Sequence, residues 1–195
     1  MLTIYHAPQS RSTRMLWLLE ELGADYHIEY MDISRATTGT GGPDPRNAHP
    51  LKQVPAIVVD GLTLVESVLI MLYLTDRYEG LAPTVGDPKR SEYLSWLGLY
   101  NGVLEPVVQA KFKGPLSVVQ ADAYTELDRR WRGALEKGPY LMGENFTAVD
   151  ILFGSLLQWY RTAMPEYPIY DDYIARISTR PALAKAMEKD AKPNG

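Results

Sequence analysis

The apolar residues of this chain change their period once, and no other feature limits the fold as strongly. In the first half, β-branched and aromatic runs alternate with helical spacing; after residue 90 only helical spacing is found. Leu2 to His6 reads as a strand, Pro8, Gln9 and Ser10 break it, and Met15, Leu18, Leu19 and Leu22 share one helix face that stops before Gly23. Asp25 to Asp32 alternates as a second strand, and the Gly-, Thr- and Pro-rich run from Ala36 to Pro50 reads as irregular loop. Ala56 to Val59 and Leu62 to Glu66 meet at Asp60-Gly61, the strongest short-range hairpin signal a sequence offers. Ser67 then stands where a helix cap is wanted, ahead of Val68, Met71, Leu72 and Thr75. The order β-α-β, loop, β-β-α predicts an α/β domain over residues 1–79.

Gly80, Pro83, Gly86 and Pro88 crowd the next ten residues, which predicts a linker over 80–89. Beyond it Tyr93, Trp96, Leu97, Tyr100 and Leu104 space as one helix face, and Val118 to Leu135 forms a further helical stretch. At Thr147 a capping box begins, with Asp150 three residues on and Phe146 and Ile151 as the staple. Leu152, Leu156, Trp159, Tyr160 and Ala163 continue it as an apolar stripe. An all-helical domain over 90–195 is expected.

Composition removes several functions. The net charge of −4 and the lack of any basic run argue against a nucleic-acid surface. With no cysteine there is no disulfide framework, thiolate metal site or protein thiol nucleophile, so thiol chemistry has to use a borrowed thiol. No stretch approaches the ~20 apolar residues of a membrane span, and nothing at the start resembles a signal peptide. A cytoplasmic protein without a membrane partner or a metal is expected.

Three places carry chemistry. In Gln53-Val54-Pro55-Ala56 a proline stands directly before an apolar strand. A trans bond there makes an ordinary turn; a cis bond, found in about 5–6% of X–Pro pairs, would turn the Val54 N–H and C=O out to pair with an extended peptide. At Glu66-Ser67 a helix starts, where a capped end and an anion site are both open readings. A peptide lying beside Val54 could meet Ser67 with its carboxylate and Glu66 with its amino group. The loop from Tyr5 to Ser12 gathers hydroxyls at the start of the first helix. A thiol of pKa ~8.5 could lose a unit or two there, each worth ~1.4 kcal/mol, although Ser10 or Ser12 could equally serve as a cap. His6 is read as structural or solvated; isolated, it lacks the partners of a triad or metal site.

Ser10 and Arg14, Val54-Pro55-Ala56, Glu66-Ser67, the linker and Phe146-Thr147-Ala148-Val149-Asp150-Ile151 occur in an order that resembles the cytosolic glutathione S-transferase superfamily over nearly the whole chain. The run Ser10 to Gly23 looks most like the bacterial and fungal members that use serine. The resemblance implies a thioredoxin-like N-terminal domain that binds glutathione, an all-α C-terminal domain, and a homodimer. It implies that Val54 pairs with the cysteinyl part of glutathione before a cis Pro55, that Glu66 and Ser67 hold the γ-glutamyl end, and that Lys52 and Gln53 lie near the glycyl end. Ser10 would activate the thiol, with Ser12 and Tyr5 as the other candidates. Trp96, Tyr100 and Asn101 would face a small hydrophobic electrophile, and the capping box would serve folding. A serine replaces the thiol of the cysteine-bearing class, and the serine-cysteine pair of the maleylacetoacetate isomerase branch is missing. The implied activity is transfer of glutathione to an electrophile; the alternatives are a non-catalytic glutathione-binding carrier or regulatory module, and a glutathione-dependent peroxidase or isomerase.

Overall fold

Leu2–His6 (β1) takes the middle of a mixed sheet because it can pair on both edges: parallel to His27–Tyr30 (β2) and antiparallel to Ala56–Val59 (β3), which in turn pairs with Leu62–Val65 (β4). The strand order is β2-β1-β3-β4. Between β1 and β2 runs Thr13–Glu21 (α1), and after β4 comes Ser67–Tyr78 (α2), so the thioredoxin-like arrangement of the sequence reading is observed. The computed structural model describes residues 1–35 and 38–191, leaving Ala36 and Thr37, the first residues of the expected loop, outside it. Alternation works as the pleat requires: Leu2, Ile4 and His6 are buried while Thr3 and Tyr5 are half-buried on the other face. The hairpin turns at Asp60-Gly61, both with positive φ (51° and 81°), the left-handed pair of a tight type I′ turn.

The chain divides into two units, one of Met1–Glu79 together with the residues from Pro181 onward, the other Gly80–Arg180. In the second unit helices run Arg90–Leu99 (α3), Glu105–Lys111 (α4), Val118–Leu135 (α5), Ala148–Trp159 (α6) and Pro168–Ser178 (α7). A π-helical turn, Tyr100–Leu104, joins α3 to α4. The single face expected from Tyr93 to Leu104 is therefore interrupted by an inserted residue's worth of backbone. The expected stripe on α6 is also too narrow. Every residue from Ala148 to Leu157 is buried, because this helix is apolar on all sides and runs through the middle of the unit. Around it Phe153 meets Trp96, Tyr100 and Trp131 at ring-centroid distances of 5.4, 5.5 and 4.8 Å.

The last helix, Pro181–Asp190 (α8), departs from the expected division at residue 90. It packs along α1 and belongs to the first unit. Lys189 Nζ donates to Glu20 Oε1 at 2.6 Å and lies 4.7 Å from the Tyr26 ring, while Tyr30 Oη donates to the Lys189 carbonyl. Amphipathic spacing shows that such a helix needs a partner but not which one, so the sequence had no means of separating α8 from the helices before it.

Candidate functional site

The loop between β1 and α1 is held by a chain of side chains that begins at His6. Its imidazole is fully buried, with Nδ1 2.7 Å from Ser12 Oγ and Nε2 facing two acceptors of Asp190, the backbone oxygen at 3.4 Å and Oδ1 at 3.5 Å. A nitrogen between acceptors carries the proton, so the partners assign the tautomer: Nε2–H donates, and Nδ1 accepts the Ser12 hydroxyl proton. Burial holds the His6 pKa below its ordinary value despite the opposing pull of Asp190, and the ring is neutral near pH 7. Of the two sequence readings, structural and solvated, His6 is thus structural, with partners at Ser12 and Asp190 that the sequence did not indicate.

That assignment separates the two serines. Ser12 is buried; by this assignment its proton goes to His6 at 2.7 Å rather than to the Ala7 carbonyl at 3.3 Å, and its oxygen accepts the Ala7 N–H at 3.2 Å. Ser10 is half-buried; its Oγ accepts the Ser12 N–H at 3.1 Å and lies 2.7 Å from both the Ala7 carbonyl and Ser12 Oγ. Its proton is the one that rotation can redirect to a new acceptor. Tyr5 is half-buried on β1 and paired through its backbone to both neighbouring strands.

The Val54–Pro55 peptide bond is cis. Neither the N–H nor the C=O of Val54 has a hydrogen-bond partner among the described residues, since pairing of β3 begins at Ala56. The loop before it braces itself: Asn47 Nδ2 donates to the Gln53 carbonyl at 2.9 Å, and the Leu51 N–H donates to His49 Nδ1 at 3.0 Å. Lys52 Nζ donates to the Asn47 carbonyl at 2.8 Å rather than reaching outward, because its backbone turns back at φ 54°.

Glu66 is exposed and adopts φ 72°, ψ 118°, a conformation that costs a non-glycine residue on the order of 1–3 kcal/mol and is found mostly where function demands it. It is the N-cap residue of α2, and Ser67 is the first helical residue rather than the cap that the sequence suggested. Among the described residues no side chain caps α2, which leaves the N–H groups of its first turn without an intrahelical partner and the positive end of the helix open.

Residues 1–76 match the family model described as the glutathione S-transferase N-terminal domain. Over those residues the chain carries the glutathione S-transferase N-terminal domain. It is 28% identical to glutathione S-transferase 3 of Schizosaccharomyces pombe, over 97% of this chain and 88% of that protein. It is 29% identical to the disulfide-bond oxidoreductase YfcG of Escherichia coli, over 97% and 95% of the two chains. Among solved structures it superimposes with a TM-score of 0.76 on a sphingomonad glutathione S-transferase complexed with glutathione, 26% identical, over 96% of this chain and 98% of that one.

The residues expected to line a co-substrate pocket behave differently from one another. Trp96 and Tyr100 are 1% and 2% exposed, and both rings meet Phe153 edge to face, with Tyr100 Oη donating to Glu105. They are core, because aromatic residues spaced along an amphipathic helix fill the bundle before they line a surface. Asn101 is exposed on the π-helical turn. A cavity of about 370 Å³ within the second unit, lined by Lys89, Glu92, Arg129, Arg130, Lys137, Leu141 and Met142 around an edge of Trp96, is bordered by neither Tyr100 nor Asn101.

Sequence reasoning missed Asp190 and Thr13. No local pattern at either residue points to the other, 177 positions apart in the chain.

Proposed function

We propose that this chain is a glutathione S-transferase of the serine type, binding glutathione on its first unit. The tripeptide lies as an added strand beside Val54, whose N–H and C=O are unpaired among the described residues. Its γ-glutamyl carboxylate takes the uncapped first turn of α2 at Ser67, and its ammonium group meets the exposed Glu66. Gln53 and Lys52 border the glycyl end. The sulfur then stands at the loop before α1, where the Ser10 hydroxyl turns from the Ala7 carbonyl to donate to the thiolate. The observation that carries this reading is the 2.7 Å contact of Ser12 Oγ with the buried His6 Nδ1, which supports Ser10 rather than Ser12 as the donor.

The thiol proton leaves to solvent, the thiolate lone pair forms the new bond to the electrophilic carbon, and the leaving group departs with its bonding pair. One hydrogen bond to a charged acceptor is worth about 1.5–3 kcal/mol, or one to two units of thiol pKa. With a chlorinated nitrobenzene, Ser10→Ala is expected to lower kcat by about ten- to a hundredfold and to move its pH dependence up by one to two units. Ser12→Ala, by contrast, is expected to act through thermal stability. Wild-type kcat in Ser10→Ala defeats the assignment of Ser10, and failure of calorimetry to detect glutathione at millimolar concentration defeats the binding site.

The similarity to a disulfide-bond oxidoreductase supports a second reading, in which the same thiolate attacks a disulfide sulfur. Because this chain has no cysteine, both reducing thiols would come from glutathione, one for each step, with oxidised glutathione as product. Assay of a dithiol-forming disulfide substrate beside the nitrobenzene separates the two. Binding without turnover on either would favour the carrier role. In solution, a homodimer is the expected assembly, tested by sedimentation.

A further inference from the structure

We propose that Asp190, the last residue of α8, is the positioning residue of the thiol site, fixing the backbone on which the Ser10 hydroxyl is presented. This rests on the glutathione reading above and names a residue that acts through others. The carboxylate is buried and receives the Gln9 N–H at 3.0 and 3.3 Å and the Thr13 hydroxyl. Thr13 Oγ1, having donated its proton to Asp190, accepts the Ser10 N–H at 3.3 Å. Two consecutive amides, those of Gln9 and Ser10, are therefore held by one carboxylate, one directly and one through a hydroxyl.

The backbone here needs holding. Gln9 has φ 52°, in the left-handed region that a glutamine rarely enters without support. Its carbonyl and that of Pro8 accept from the Arg35 guanidinium at 3.4 and 2.7 Å, so both peptide groups flanking the strained residue are tied. His6 closes the circuit: it donates to Asp190 through Nε2 and orients Ser12 through Nδ1, and Ser12 in turn contacts Ser10.

The position of Asp190 also argues for a task in the loop. A carboxylate in the last turn of a helix faces the negative end of its own macrodipole, while the start of α1, where this one points, favours it. α8 docks by other means as well, through Lys189 with Glu20 and Tyr30 with the Lys189 carbonyl, so Asp190 is not its sole attachment. Asp190 and Lys189 are neighbours with separable roles, and that separates the tests.

The experiment compares Asp190→Asn, Thr13→Val, Thr13→Ser and Lys189→Ala in the full chain, by amide exchange without glutathione and by the pH dependence of kcat with a chlorinated nitrobenzene. The asparagine keeps the size of the residue but offers one acceptor to three donors. Asp190→Asn is expected to speed exchange at Gln9 and Ser10 by about tenfold, the loss of one hydrogen bond. It is also expected to raise the pH midpoint of kcat by about one unit, with the KM for glutathione changed less than about twofold. Thr13→Val is expected to repeat the pH effect, Thr13→Ser to restore it, and Lys189→Ala to leave it in place. Should Asp190→Asn fail to fold, the threonine pair carries the test.

Unchanged exchange at Gln9 and Ser10 overturns the proposal whatever Ser10 does in catalysis. Faster exchange with an unmoved pH midpoint leaves Asp190 a structural tether only and overturns its positioning role. An equal shift in Lys189→Ala also overturns it, because the effect would then belong to helix docking. Failure of the Ser10 reading shows up separately, as wild-type kcat in Ser10→Ala.

Discussion

The sharpest quantitative test of the fold lies at Asp150, whose carboxylate is fully buried and accepts four hydrogen bonds. Oδ1 takes the Leu141 N–H at 2.9 Å and Tyr173 Oη at 2.8 Å; Oδ2 takes the Thr147 N–H at 2.8 Å and Thr147 Oγ1 at 3.1 Å. Asp150→Ala would strand two buried backbone donors at about 1–3 kcal/mol each, while Tyr173 can fall back on the Asp150 carbonyl, 3.3 Å away. A loss of about 3–5 kcal/mol is expected, or roughly 6–20 °C in Tm for a chain of this length. Asp150→Asn retains one acceptor and turns an NH2 towards the Thr147 N–H, so about 2 kcal/mol is expected.

Acidity adds an independent check on the same residue. Burial pushes the Asp150 pKa up to about 6 from an ordinary 3.8, against the four donors that pull it down. Its folded value lies above its unfolded one, so folding takes up a proton, and this contribution is complete below 3.8 and lost as pH rises through about 6. The stability gap between wild type and Asp150→Asn should therefore widen from pH 7 to pH 4. Urea titrations followed by circular dichroism at both pH values measure it. A loss below about 1 kcal/mol in Asp150→Ala, or a gap that narrows on acidification, would refute the reasoning.

Further expectations concern packing and histidine. A Cβ on Gly154 would come within 2.2 Å of Ile177 Cδ1, and Ile177 is fully buried with little room to move. Gly154→Ala is expected to cost about 1–3 kcal/mol from overpacking, less about 1 kcal/mol of gained helix propensity, and Ile177→Val should recover most of the loss in a double-mutant cycle by thermal melting. His6 and His49 both have pKa values lowered chiefly by burial, so each contributes stability above pH 6.5 that is lost as pH falls through its folded value. Imidazole proton NMR should find both titrating below 6.5, and a titration of either above that value contradicts its burial as a neutral ring.

Much of this architecture is legible in the chain because it depends on contacts close in sequence. The switch from period two to period 3.6 separates β1 from α1, Asp60-Gly61 closes the β3–β4 hairpin, and Thr147-to-Asp150 announces the start of α6. The binding landmarks follow for the same reason: Val54 and Pro55 lead into β3, and Glu66 and Ser67 join β4 to α2, so one hairpin holds both. Other features were decided by tertiary contacts alone. Whether Trp96 and Tyr100 line a pocket or fill a core depends on Phe153 reaching them, which helical spacing does not encode. Which serine keeps a free proton depends on His6 Nδ1, and the state of His6 depends on Asp190 from the far end of the chain. Local patterns report what each segment can form; the partner that commits a hydroxyl or buries a ring is chosen by packing between segments, where no spacing rule applies.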